Sequence, residues 1–63
     1  MRYRVEVWRH GDPSSIYEDN DINALVQVYK EDWGAEEGEC TIYVYEDGRE
    51  LSVEEEHALG FYD

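Results

Sequence analysis

Apolar and polar residues alternate at the start of this chain. In residues 2–9, RYRVEVWR, the side chains of Tyr3, Val5 and Val7 fall on one face, and Trp8 falls on the other with the charged residues. A period of two is typical of a half-buried β-strand, because successive side chains of a strand point to opposite faces of the sheet. The pattern therefore predicts a first strand here.

The alternation then stops. Residues 10–15, HGDPSS, combine Gly, Asp, Pro and Ser, which are the residues that turns use most, and they predict a loop. For residues 16–18, a short edge strand and an extended loop both stay open.

A second alternating stretch, residues 40–53, surrounds the pair Asp47-Gly48. Asp-Gly between alternating apolar residues indicates a hairpin with a two-residue type I′ turn, which needs positive φ at both positions. The register that this turn implies puts four aliphatic residues on one face and the tyrosines on the other. It pairs Glu46 with Arg49, Tyr45 with Glu50, Val44 with Leu51, Tyr43 with Ser52 and Ile42 with Val53.

Between these stretches the apolar residues recur with a helical period. They are Ile22, Leu25, Val26, Tyr29 and Trp33. This spacing predicts an amphipathic helix that begins after a capping residue among the polar residues 19–21, with Gly34 as the C′ residue after its end. Residues 52–55, SVEE, fit a capping box, which predicts a short second helix from Val53 towards Leu59, ended by Gly60.

The order of elements is therefore β-α-β-β followed by a short C-terminal helix. We expect residues 1–63 to form a single small domain of the α+β class, with an antiparallel or mixed three-stranded sheet and one amphipathic helix on one face. A chain of this length buries a thin core and has no room for a deep catalytic pocket.

The residues that could carry chemistry are few and poorly spaced. Cys40, His10 and His57 do not have the spacing of a metal site, and no calcium-binding loop can be aligned with the chain. His10, Asp12 and Ser14 lie in one short stretch, whereas a catalytic triad needs a scaffold that brings its members together. We expect no catalytic residues, no metal, no cofactor and no enzymatic activity.

The sequence also bears on location. Residues 1–10 lack the apolar core of a signal peptide, no apolar run approaches the length of a membrane span, and a single cysteine forms no internal disulfide. We expect a soluble cytoplasmic protein.

Charge is the most unusual feature of the chain. Seventeen Asp and Glu stand against five Lys and Arg, which gives a formal net charge of −12. Residues 1–11 carry three of the five cations, whereas residues 12–63 carry sixteen of the acids. Such a surface repels nucleic acid and anionic membranes and attracts basic protein surfaces. We therefore expect a basic protein as the partner, and no direct binding to nucleic acid or membrane.

The candidate contact residues are three runs of acids. They are Glu31, Asp32, Glu36, Glu37 and Glu39; Glu46, Asp47 and Glu50; and Glu54, Glu55 and Glu56. Glu31 and Asp32 fall in the last turn of the predicted helix, where the helix dipole disfavours each negative charge by about 0.3–1 kcal/mol. An arrangement that lowers stability without an evident structural gain indicates function.

In size, in acidity and in its lack of motifs, the chain resembles small phage-encoded inhibitors: anti-CRISPR proteins, anti-restriction proteins and uracil-glycosylase inhibitors. The resemblance is one of composition over the whole chain, and it transfers no individual site residue. It implies a DNA mimic that acts in phage counter-defence. Its carboxylates would imitate a phosphate array and inhibit a basic nucleic-acid-binding protein or complex, such as a CRISPR effector.

Two other interpretations stay open. The first is a small protein–protein interaction module, antitoxin-like or regulatory, whose contact, either with a second copy of the chain or with another partner, would be the aromatic strand face of Trp8, Tyr43 and Tyr45. The second is an ordinary domain with a halophilic surface, in which the acids are an adaptation to high salt.

Overall fold

The structure, a computed structural model, describes residues 2–36 and 38–62. The elements are the strand β1 (Tyr3–Arg9), the strand β2 (Asp12–Asp19), the helix α1 (Ile22–Trp33), a 3₁₀ turn (Gly34–Glu36), the strand β3 (Thr41–Glu46), the strand β4 (Arg49–Glu50) and the helix α2 (Val53–Leu59). The four strands form one sheet in the order β2-β1-β3-β4, and every neighbouring pair is antiparallel. The α+β class is confirmed, whereas the predicted count of three strands is wrong.

The additional strand is β2, which occupies part of the region predicted as a loop. His10 and Gly11, with φ of 57° and 82°, form the two-residue turn that joins β1 to β2. The register shifts beside Ser14, and Pro13 lies next to this irregularity in an edge strand. Proline is tolerated there because an edge strand does not need every N–H for pairing. Turn-forming composition therefore indicated the turn at His10 and Gly11 correctly and was misleading in residues 12–15.

The second hairpin has the predicted turn and the predicted register next to it. Asp47 and Gly48 both have positive φ, at 50° and 86°, as a type I′ turn requires. Glu46 pairs with Arg49 and Tyr45 with Glu50, and the Leu51 N–H donates to the Val44 carbonyl at 2.8 Å.

Beyond Leu51 the chain leaves the sheet. Ser52 caps α2, and its hydroxyl and the Glu55 carboxylate form both halves of the predicted capping box. Val53 becomes the first residue of α2 and is 62% exposed, so the predicted pairings of Tyr43 with Ser52 and of Ile42 with Val53 are both wrong. Residues 52 and 53 cannot belong to a helix and a strand at once, and the capping box formed by Ser52 and Glu55 favours the helix.

We expect Ser52→Ala to lower the free energy of unfolding by about 1 kcal/mol, because the Glu55 N–H loses the hydroxyl that accepts its hydrogen bond. Ser52→Thr keeps the hydroxyl and is the matched control. Urea denaturation followed by circular dichroism measures both variants. Equal unfolding free energies for Ala and Thr at this position would contradict the capping role.

Both helices lie on one side of the sheet and enclose the core with it. The buried apolar residues are Val5, Val7, Leu25, Tyr29, Ile42, Val44, Leu51 and Phe61. Of the predicted helix face, Leu25 and Tyr29 are buried and the other members are partly buried against the core. Asp21 is the N-cap of α1, as the sequence allowed. Gly34 follows the last residue of α1 and caps it, as predicted, but it is right-handed, at φ −57°, and opens the 3₁₀ turn instead of adopting the left-handed conformation typical of a C′ glycine.

Candidate functional site

In the described part of the chain, both helices cover the same face of the sheet. We name the opposite face the outer sheet face. The register places alternate side chains of β1, β2 and β3 on this face. Its central residues are Arg4, Glu6, Trp8, Ile16, Tyr43 and Tyr45. The predicted aromatic contacts therefore lie together on one surface. Ile16 joins them, and the sequence did not place it there because residues 16–18 were left open between an edge strand and a loop.

A polar network holds the centre of the outer sheet face. One oxygen of Glu6 forms an ion pair with the Arg4 guanidinium at 2.9 Å, and the other accepts a hydrogen bond from the Trp8 indole at 3.1 Å. Trp8 in turn meets Tyr43 edge to face, with ring centroids 5.9 Å apart. Because the Glu6 side chain is only 15% exposed, this ion pair is less screened by water than a surface pair. Glu6 therefore fixes the positions of both Arg4 and Trp8.

A shallow depression of about 450 Å³ lies at one end of the outer sheet face, and Arg2, Glu18 and Asp47 are among its lining residues. The Arg2 guanidinium lies 3.9 Å from the Glu18 carboxylate, and the backbone N–H of Arg2 donates to the Asp47 carboxylate at 2.8 Å. Partial burial raises the pKa of Tyr45, which also lines the depression, and the negative charge of Glu6 raises it further. The Tyr45 hydroxyl therefore stays protonated at neutral pH and can donate a hydrogen bond.

The two acids at the end of α1 have partners within the chain. Asp32 accepts a hydrogen bond from the Tyr17 hydroxyl at 2.8 Å, and that hydroxyl accepts one from the Trp33 indole at 3.1 Å. Glu31 accepts a hydrogen bond from Gln27 at 3.2 Å. Asp32 thus helps to join α1 to the edge strand β2, which is a structural reason for an acid at an unfavourable end of the helix.

Glu46 and Glu55 are held by an arginine of the same chain. The Arg49 guanidinium donates to both carboxylate oxygens of Glu55, at 3.2 and 3.4 Å, and lies 3.9 Å from Glu46. The hydrogen bond from Arg49 lowers the pKa of Glu55, and the one from the Ser52 N–H lowers it further. Through Arg49, Glu55 links α2 to β4, and Glu46 links the end of β3 to β4.

Glu56 lies inside the protein, although the sequence grouped it with the surface acids. Its side chain is 4% exposed, and its carboxylate accepts hydrogen bonds from the Tyr62 hydroxyl at 3.1 Å and from the Val44 N–H. Burial raises its pKa. Glu56 is therefore not available to a partner at the surface. Its spacing of three residues from Leu59, which packs against the core, was the signal that could have placed it inside.

The remaining predicted contact residues that the structure describes are divided among three regions. Glu50 and Asp47 are exposed at or beside the outer sheet face, Glu54 is exposed on α2, and Glu39 is exposed in the turn before β3. Glu37 and the side chain of Glu36 lie outside the described residues. These described acids therefore lie in separate parts of the structure.

Among residues 2–36 and 38–62, no group of three or more His, Cys, Asp or Glu side chains is placed to hold a metal ion. In the same part of the chain, no helix has the length and apolar content that crossing a membrane requires.

Protein-family models, curated protein sequences and solved structures give no match to this chain, so its candidate surfaces are judged by their own geometry and charge.

Proposed function

We infer that this chain is a non-enzymatic acidic binding protein that occupies the basic, nucleic-acid-binding surface of a partner protein and so inhibits it. The observation that carries this proposal is the net charge of −12. Arg2, Arg4 and Arg49 each form an ion pair with a carboxylate of the same chain. Ten acids are exposed among the described residues.

A nucleic-acid-binding protein is the partner that this charge suits best. Its groove presents Lys and Arg side chains that otherwise neutralise phosphates, so a carboxylate surface competes for the same contacts. Long-range attraction between opposite charges accelerates association and weakens as salt rises. The compositional resemblance to anti-CRISPR and other DNA-mimic inhibitors supports the same proposal, with a CRISPR effector as one possible type of partner.

The test is capture on the immobilised protein from a nuclease-treated host lysate at low salt, followed by elution with a salt gradient. We expect a basic nucleic-acid-binding protein to be retained, to elute as the salt concentration rises, and to be displaced by duplex DNA. Retained proteins that respond neither to salt nor to DNA would contradict the proposal.

A triple variant, Glu39→Gln with Glu50→Gln and Glu54→Gln, is the matched charge control. All three side chains are exposed, and the hydrogen bonds and ion pairs described above do not involve them. The variant should elute at lower salt and fold normally. An unchanged elution position would argue that the exposed acids do not contribute to binding.

A second candidate, the interaction module, is favoured by the outer sheet face, where Tyr43 is 36% exposed and Ile16 is 51% exposed. A partner held mainly by apolar contacts would stay bound as salt rises and would be lost in Tyr43→Thr. A halophilic domain, in contrast, would retain no specific partner and would unfold at low salt.

A further inference from the structure

We propose that the outer sheet face is the docking surface of this chain and that its occupant is an arginine-rich segment of the basic partner. This inference rests on the proposed function, because it assumes a basic partner. It adds which surface meets that partner and which cation is recognised there.

The first support is the exposed apolar area. Of the three large hydrophobic residues that are exposed among the described residues, Ile16 and Tyr43 lie on the outer sheet face, and Val53 lies on α2. Phe61, which could have folded over the outer sheet face, is instead 1% exposed in the core on the other side of the sheet. An aromatic and aliphatic centre with a polar rim is the usual composition of a protein contact surface.

The second support is the charge around this centre. Glu18, Asp47 and Glu50 are exposed at the rim, while Arg4 is engaged by Glu6 and Arg2 lies beside Glu18. The side chains of Arg2 and Arg4 stay 59% and 44% exposed, but four carboxylates, those of Glu6, Glu18, Asp47 and Glu50, outnumber these two cations on the face and its rim. An approaching cation therefore meets a net negative charge beside aromatic rings. A second copy of this chain does not suit the surface, because two molecules that each carry a net charge of −12 repel one another.

Arginine fits this combination better than lysine does. A guanidinium is planar, stacks on aromatic rings and donates to a carboxylate through two parallel N–H groups, whereas an ammonium is a compact and strongly hydrated charge. Tyr43, whose ring is contacted by Trp8 at an angle of 84°, is still 36% exposed. The depression beside Tyr45 and Asp47 gives a neighbouring arginine side chain a place next to a carboxylate.

The outer sheet face is also organised before binding. Glu6 uses both carboxylate oxygens to hold Arg4 and Trp8, and Trp8 contacts Tyr43. Side chains that are already ordered lose less conformational entropy when a partner binds. The centre of the surface therefore needs little rearrangement to accept an arginine.

The test uses the full chain, isotopically labelled, with deca-arginine and deca-lysine peptides as probes at equal ionic strength. We expect deca-arginine to shift the NMR signals of Trp8, Tyr43 and Tyr45 and to bind about fivefold to tenfold more tightly than deca-lysine. Tyr43→Thr should remove most of this preference, and Thr keeps the β-strand preference of the site. Val53→Thr changes an exposed apolar residue on α2 and should leave the preference unchanged.

Two single-charge variants separate the surface from the net charge. Glu50→Gln removes an exposed carboxylate at the outer sheet face, and Glu54→Gln removes one on α2. We expect Glu50→Gln to weaken deca-arginine binding more than Glu54→Gln does.

The outcomes distinguish the docking proposal from the proposed function. Equal binding of both peptides, with signal shifts confined to the helices and equal effects of the two Gln variants, would overturn the docking proposal and leave an acidic binding protein. Failure of both peptides to bind at low salt would overturn the docking proposal and the proposed function together.

Discussion

Phe61→Ala is expected to lower the free energy of unfolding by about 3–5 kcal/mol, which is the usual cost of removing a buried phenylalanine. Phe61 lies after the end of α2, yet it is 1% exposed and is among the largest fully buried side chains. Its ring lies 5.9 Å from the ring of Tyr29 in α1. Truncation leaves a cavity where α1, α2 and the sheet meet, and a domain this small has few other contacts to replace those lost.

The effect is large compared with the stability available. At roughly 0.05–0.15 kcal/mol per residue, a chain of 63 residues has about 3–9 kcal/mol in total. Circular dichroism during heating and in urea should show Phe61→Ala partly or wholly unfolded at 37 °C. Phe61→Leu should fall between this variant and the native chain, and the exposed Val53→Ala should change little. A native melting curve for Phe61→Ala would contradict the packing of the C-terminal segment.

Glu56→Ala is expected to lower the free energy of unfolding at neutral pH by about 1–3 kcal/mol. The buried Val44 N–H and the partly buried Tyr62 hydroxyl would lose the carboxylate that accepts their hydrogen bonds. Glu56→Gln is the matched control, since its amide oxygen still accepts a hydrogen bond and the side chain has the same shape. Urea denaturation should rank Glu56→Ala below Glu56→Gln. The reverse order would mean that these hydrogen bonds do not stabilise the fold.

Glu56 also makes the free energy of unfolding depend on pH, in a direction that its raised pKa determines. Burial raises the pKa of Glu56 above its ordinary value near 4.5, and the negative charge of Glu50 adds to this, while the Tyr62 hydroxyl, the Val44 N–H and the charge of His57 act in the opposite direction. The folded state then binds more protons than the unfolded state. The proton-linked part of the contribution of Glu56 to stability is complete below the unfolded pKa and is lost as the pH rises through the folded pKa. The hydrogen bonds that its carboxylate accepts remain at neutral pH.

The free energy of unfolding of Glu56→Gln should therefore gain on that of the native chain as the pH rises from about 4 towards 7. Comparing the two proteins at each pH removes the contribution of the other acids, which titrate in both. Urea titrations at several pH values measure the difference. A difference that is constant with pH would contradict a raised pKa for Glu56.

Part of the negative charge serves the fold itself. Several acids act within the chain: Asp21 caps α1, Asp32 accepts a hydrogen bond from Tyr17, Glu55 completes the capping box of α2, and Glu56 is buried. Composition alone therefore overestimates the carboxylates that a partner can reach. This is the reason to place docking on the outer sheet face, where exposed acids and aromatic residues meet.

The sequence by itself determined the elements whose signals are local. The helical spacing of α1, the capping box of α2 and the Asp47-Gly48 turn were all read correctly, because each depends on residues within a few positions of one another. Trp8, Tyr43 and Tyr45 were also assigned correctly to one face of their strands. Alternation along a strand fixes this once the strand is recognised.

Only the tertiary structure decided which surfaces are covered. The first half of the strand β2, residues 12–15, was predicted as a loop because its pairing with β1 outweighs the turn preference of Pro13 and its neighbours. The burial of Glu56 and Phe61, and the separation of the helix acids from the outer sheet face, depend on contacts between residues far apart in the chain. Local propensity does not encode such contacts, because the free energy that decides them arises only when distant elements exclude water from one another.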